Sequence, residues 1–146
     1  MFKNLLKNVN MLFGLAAVSN ANNTDSNTSR FDMKGYDGIL FVTSIADSAA
    51  TGVATLTVEG NTIDSDSGMA AITGAAATKT CTTNDDINST LLVVDVYRPQ
   101  KRYIQGVLTS SAANIAFGTT YAIQYKGKGH PVVQGTTVSA STQVAG

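Results

Sequence analysis

The chain has no tryptophan, one cysteine, one histidine, one glutamate and two prolines in 146 residues. Each scarcity removes a class of function. A single thiol, Cys81, cannot form an intrachain disulfide framework or a thiolate metal cluster. Its "KTCTT" setting has no adjacent helix start or nearby histidine, so it reads as a buried structural thiol. The lone histidine, His130 in "KGKGHPV", has no second histidine with which to make a metal-ligand spacing. No "GxSxG" places a serine for a nucleophile–base–acid triad, so His130 reads as a loop or interface residue. Asp64 and Asp66 in "DSDSG" and the Asp85–Asp86 pair lack the terminal glutamate of a calcium loop, Glu59 being the only glutamate. They read as turn aspartates. "KGKG" lacks the spacing and strand-to-helix setting of a phosphate loop. The reading is of a protein without an enzyme site, a cofactor or a metal.

Charge is also scarce. Charged residues make up 14% of the chain, against roughly 25% in ordinary soluble domains. The formal net charge is +0, so no global field draws the chain to nucleic acid or anionic lipid. What fills the chain instead is Ala, Thr, Ser, Gly and Asn, short neutral side chains suited to close packing against neighbours.

Residues 1–18 begin like a secretory signal, with Lys3 and Lys7 before "MLFGLAAV". Helical spacing gives another reading. Phe2, Leu5, Leu6, Val9, Leu12, Phe13 and Ala16 share one face of a helix; Lys3, Asn4, Lys7, Asn8, Asn10 and Gly14 share the other. The expectation is an amphipathic helical arm over 1–18 that docks on protein, two lysines being few for a lipid surface. No apolar run is long enough to span a membrane. Residues 19–30, "SNANNTDSNTSR", are small and polar and read as a linker.

From Phe31 the pattern is extended. "GILFVTSIA" is a continuous apolar run expected to be buried on both faces. "VATLTVEG" alternates, with Ala54, Leu56 and Val58 on one side. "NTIDSDSG" supplies turn chemistry. "STLLVVDVY" reads as a core strand, and "TTYAIQYKG" puts Tyr121, Ile123 and Tyr125 on one face. "MAAITGAAATKT" is ambiguous between helix, loop and edge strand. "RYIQGVLTS" alternates again, and "RPQK" before it, with Pro99 at the second turn position, predicts a β-hairpin. Arg98, Lys101 and Arg102 then form its tip, solvated or facing an acidic neighbour. Nucleic-acid binding would need reinforcement that the net charge does not give. Short strands separated by Gly, Asp, Asn and Ser point to a mainly β fold, an antiparallel sandwich or jelly-roll-like body over 31–130. The tail, 131–146, carries no charge. It reads either as an added strand on a neighbour's sheet edge or as a strand of its own fold.

"FDMKGYDGILFV", "ATLTVEG", "DSDSG", "YRPQKRYIQGVLT" and "GKGHPV", in this order over roughly Phe31 to Val132, resemble small tailed-phage structural proteins of the head decoration or cement kind. The resemblance implies a non-enzymatic virion protein on the capsid exterior. Its partners would be the major capsid protein and itself, as a dimer or trimer, held by many weak symmetric contacts. The contact residues would be the helix face (Phe2, Leu5, Leu6, Val9, Leu12, Phe13), the basic tip (Arg98, Lys101, Arg102) and Val138 in the tail. A head-fibre base or tail part, or a secreted carbohydrate-binding sandwich with exposed tyrosines, is the alternative.

Overall fold

Burial alternates with period two along most of the chain, which is the signature of sheets with one face inward. In the computed structural model, which describes residues 4–128, 131–142 and 144, eleven strands follow a three-residue 3-10 turn at Leu5–Lys7. They are β1 (Val9–Leu15), β2 (Val18–Ala21), β3 (Thr24–Asn27), β4 (Phe31–Asp32), β5 (Gly38–Ser48) and β6 (Val53–Asn61). After these come β7 (Ala70–Thr80), β8 (Leu91–Tyr97), β9 (Tyr103–Ser111), β10 (Ile115–Phe117) and β11 (Thr120–Tyr125).

The strands form two antiparallel sheets. In the first, β1 pairs β11, β2 pairs β10, and both β11 and β10 pair β5, which also pairs β8. In the second, β3 and β4 both pair β9, followed by β6 and β7. Three long strands are each broken once, so the eleven segments fill four positions per sheet. Early and late strands pair in a nested way: β1 with β11, β3 and β4 with β9, β5 with β8, β6 with β7. This is the double-sheet jelly roll.

One of the breaks has a clear cause. At Gly118, between β10 and β11, a Cβ would lie 2.1 Å from the Ser44 hydroxyl. The glycine lets the backbone approach β5 there, and its N–H donates to Ser44 O at 2.8 Å. The core lies between the sheets. Ile39, Phe41 and Ile45 from β5 meet Ala54, Leu56 and Val58 from β6, with Ile104 and Leu108 from β9. The Phe31 and Phe41 rings sit 5.9 Å apart.

The sequence expectation of an N-terminal helix is not met. Leu5–Lys7 makes one 3-10 turn, and Val9–Leu15 is a strand hydrogen-bonded to β11. The same residues satisfy a period of two: Asn10, Leu12 and Gly14 face inward, Val9, Met11 and Phe13 outward. The partner strand supplies the backbone bonds that an isolated helix would make alone, and Val9, Phe13 and Gly14 are weak helix formers. The polar stretch expected as a linker contributes most of β2 and all of β3.

Two further corrections concern β5 and β8. β5 buries one face fully, while Leu40, Val42 and Ser44 on the other are half-buried. "VYRPQKRY" is not a hairpin: β8 belongs to the first sheet and β9 to the second. The loop is an arch between layers. At one end Arg98 N–H bonds Asp37 O, and at the other Arg102 O accepts from Met33 N–H. Two apolar runs around a proline turn look alike in sequence whether they pair or face each other. "AAITGAAATKT" resolves as β7, an edge strand.

The tail answers the question of which edge it serves. It lies along this chain's own β1, through side chains. Gln134 Oε1 accepts from Met11 N–H at 2.8 Å, and its Nε2 donates to Val9 O at 2.7 Å and Leu6 O at 2.9 Å. The side-chain amide takes the place of a peptide group in a neighbouring strand. Asn10 Oδ1 accepts from Gly135 N–H, and Val132 N–H bonds Lys7 O. Gln134→Ala should lower unfolding free energy by about 1–3 kcal/mol, because it strips partners from half-buried backbone groups. Denaturant unfolding checks this, and amide exchange at Met11 should accelerate while that at Ile39 in the core does not.

Candidate functional site: an apolar sheet face and a charged rim

The two outer faces of the sandwich differ in chemistry. On the second sheet the outward residues that reach solvent are polar, Thr55, Thr57 and Glu59 of β6 with Thr109 of β9, while Val107 and Gln105 beside them are buried. On the first sheet the outward rows are apolar. Phe13, Tyr121, Val42 and Val93 form one row across four strands; Met11, Ile123 and Leu40 form the next, ending at Asp95. Leu91 and Tyr97 extend the face along β8. Phe13 is 45% exposed, Tyr121 46%, Val93 44%, Tyr97 50% and Leu91 63%. These residues make a continuous apolar patch, the kind of surface that interaction sites present. Phe13 meets Tyr121 edge-on, with centroids 6.3 Å apart, a geometry that holds both rings in place.

Tyr125 and Asp95 fix the polar side of this face. Gly38 lies between Tyr125 and Tyr97 in the sheet, and a Cβ there would sit 2.0 Å from the Tyr125 ring. The bare backbone lets the ring lie across β5, so that its hydroxyl donates to Asp95 Oδ1 at 2.6 Å. Burial first, then the Asp95 carboxylate, raises the Tyr125 pKa above the usual phenol range.

At the arch end the rim is basic. Lys34, Arg98, Lys101, Arg102 and Lys128 border a cleft of about 660 Å3 together with Asp37. With Lys126 they make six of the ten basic residues of the chain. Arg98 and Lys126 lie over the Tyr97 ring at 5.1 and 4.7 Å, an arrangement that favours cations at this rim. Arg102 is not a free tip: it makes a two-pronged bond to Asp32, 2.8 Å on each oxygen. The Arg102 guanidinium, then the Lys34 backbone N–H, hold the Asp32 carboxyl down at about 2, against some opposing desolvation. At the opposite end Asp47, Asp85 and Asp86 gather around the β5–β6 turn and the loop before β8. Asp86 accepts from the Thr82 hydroxyl and from the Thr82 and Thr83 N–H groups, and its pKa is lowered.

The sequence-derived contact residues separate in space. Phe13 and Val9 belong to the outward side of β1, where Phe13 is exposed and Val9 is buried. Leu12 packs inward against the core. Leu5 is exposed and Leu6 half-buried in the 3-10 turn; Phe2 lies outside the described residues, as does His130. Arg98, Lys101 and Arg102 do meet, at the basic rim, and Val138 is half-buried in the tail. Sequence reasoning missed Leu91, Val93 and Tyr97. "LLVVDV" reads as core, but Asp95 in phase with Leu91, Val93 and Tyr97 is the signal that this side faces out. Cys81 is fully buried, and its thiol donates to Thr83 O. Among the described residues no cluster of three or more His, Cys, Asp or Glu could hold a metal ion, and no helix is long and apolar enough to cross a membrane.

Fold and surface together define an antiparallel jelly-roll module with one apolar and one polar outer face. No protein-family model matches the chain, and no curated protein matches it. Among solved structures it is similar to the crystal structure of PBSX exported protein XepA, with a TM-score of 0.53 and 15% identity. The match covers 99% of this chain and 46% of that one, so the chain spans about half the length of that protein. A likeness at this identity shows the fold.

The Arg102–Asp32 brace ties β4 to the start of β9, and its contribution follows the titration of Asp32. The folded pKa lies below the ordinary carboxylate value of 3.8, at about 2. The stabilisation is therefore present above pH 3.8 and is lost as pH falls from 3.8 to about 2. Both partners are partly exposed, so solvent screening keeps the effect small. The thermal midpoint of wild type should exceed that of Asp32→Asn at neutral pH, and the gap should close across that acid window.

Proposed function

We propose that the chain is a non-enzymatic phage virion structural protein, a decoration or cement module that binds the capsid exterior and stabilises the shell. The observation that carries this reading is the apolar outer face of the first sheet, with Phe13, Val42, Val93 and Tyr121 in one row on a rigid scaffold. A flat face built on strands holds its side chains in fixed positions and suits repeated docking on a symmetric lattice. The scarcity of charge on this face keeps desolvation on docking small. The fold shared with PBSX exported protein XepA is compatible with a virion-related role. Jelly rolls also build many viral capsid domains, a fold-level analogy that adds support without naming a site.

The contacts assigned to this role are the exposed sheet face and the basic rim. Arg98 and Lys101 would meet acidic groups at the edge of the footprint, where charges set orientation and on-rate more than affinity.

A second reading has its own observation. Phe13, Tyr121 and Tyr97 present exposed rings on one face, and jelly rolls also serve as lectins. On that reading the chain binds carbohydrate.

Co-sedimentation with assembled shells of the cognate phage separates the two. The decoration reading expects saturable binding to shells, and Tyr121→Glu should weaken it about tenfold or more, as for a central interface residue. Absence of shell binding, with retention on glycans, would overturn it in favour of the carbohydrate reading.

A further inference from the structure

A sandwich has four outer edge positions, and three of them carry devices that prevent pairing with another chain. The β1 edge is covered by the tail through Gln134. The strands β2, β3 and β4 are two to four residues long. β7 is bulged: its pairing with β6 jumps from Thr57↔Ala76 to Glu59↔Ala71, with Gly74 at φ +80°. β8 has none of these. It is seven residues long, unbroken, without proline, and pairs in even register with β5 from Leu91 to Tyr97.

Which backbone groups β8 leaves open can be read from the ladder. Thr90 O accepts from Ile45 N–H, and Arg98 N–H donates to Asp37 O. Antiparallel bonding alternates, so even-numbered residues between them bond β5. Leu91, Val93, Asp95 and Tyr97 point their N–H and C=O groups away, and no strand among the described residues takes them.

We infer that this edge pairs with the β8 edge of a second copy of the chain, antiparallel and centred on Val94. In that register the four outward residues pair completely: Leu91 with the partner's Tyr97, Val93 with the partner's Asp95, and the reverse. The only charge on the strand then faces a valine rather than its own copy. Apolar outer faces of the two first sheets join into one continuous surface. The register also aligns the charged ends. Asp86 lines the groove beside one end of β8, with Lys79, while Arg98 and Lys101 line the groove beside the other end. An antiparallel two-fold brings Arg98 and Lys101 of each copy toward the end of the other where Asp86 lies beside Lys79, with Asp85 and Asp47 near the same turn. A parallel arrangement would set like ends together. This inference stands apart from the virion reading, because it concerns the purified chain alone.

Sedimentation velocity on the full chain over a range of concentrations tests it. Wild type should form a dimer that weakens as salt rises. Val93→Asp sets two carboxylate pairs directly across the axis and should weaken the dimer about tenfold. Val93→Lys, which faces the partner's Asp95 with opposite charge, should keep it. Lys101→Glu, in the exposed arch, should weaken it several-fold, and supplies an independent arm if Val93→Asp does not fold. Far-UV circular dichroism verifies the β fold of each variant. A monomer at every concentration, an unchanged dimer in Lys101→Glu, or equal responses to Asp and Lys at Val93 would overturn the proposal.

Discussion

Every strand that is not enclosed on both sides leaves a row of backbone donors and acceptors in need of partners, and this protein is organised around meeting that need. β5 is the centre of the first sheet. It bonds β8 along one side and β11 and β10 in succession along the other, while Ile39, Phe41 and Ile45 carry its inner face into the core. The nested pairing of early with late strands completes two sheets from a chain with very few charges. At β1, where the first sheet ends, a glutamine amide from the tail substitutes for a strand. At β8, where it ends on the other side, no segment among the described residues does.

The contrast between the faces follows from the same arrangement. Small hydroxyl side chains on the second sheet leave its surface compatible with water, and Thr55 and Thr78 hydrogen-bond across strands there. The first sheet instead exposes phenylalanine, tyrosine, valine and leucine. Most basic residues gather at the arch, beside Asp32 and Asp37, and Asp47, Asp85 and Asp86 stand around the β5–β6 turn, while Glu59 and Asp95 lie on the outer faces. A particle so arranged has a direction, and a net charge of +0 conceals it.

Much of the fold was legible from local pattern. The alternation of "VATLTVEG" placed Ala54, Leu56 and Val58 inside, where all three are fully buried, and "DSDSG" is the turn after β6. The rest depended on long-range partners. Val9–Leu15 has apolar residues on both sides, so periods of 3.6 and 2 both fit, and the waiting edge of β11 decides between them. The arch at Pro99 reads as a hairpin because sequence shows two strands and a turn but not whether they share a sheet. The candidate surface was half visible: Phe13 and the basic residues were identified, whereas Leu91 and Val93 were read as core. One-face burial of β8 follows from its place in a two-layer sandwich, and Asp95, in phase with Leu91, Val93 and Tyr97, is the one mark of it within "LLVVDVY".

On the proposed pairing, the β8 edge and the apolar face beside it are contact surfaces rather than solvent-facing walls. Amide hydrogen exchange on the native protein, resolved to single residues, reads this directly. The outward amides of Leu91, Val93, Asp95 and Tyr97 should become protected as protein concentration rises, while the inward amides of Leu92 and Val94 are protected throughout. If the outward amides exchange as freely as those of an open loop at every concentration, the pairing is contradicted.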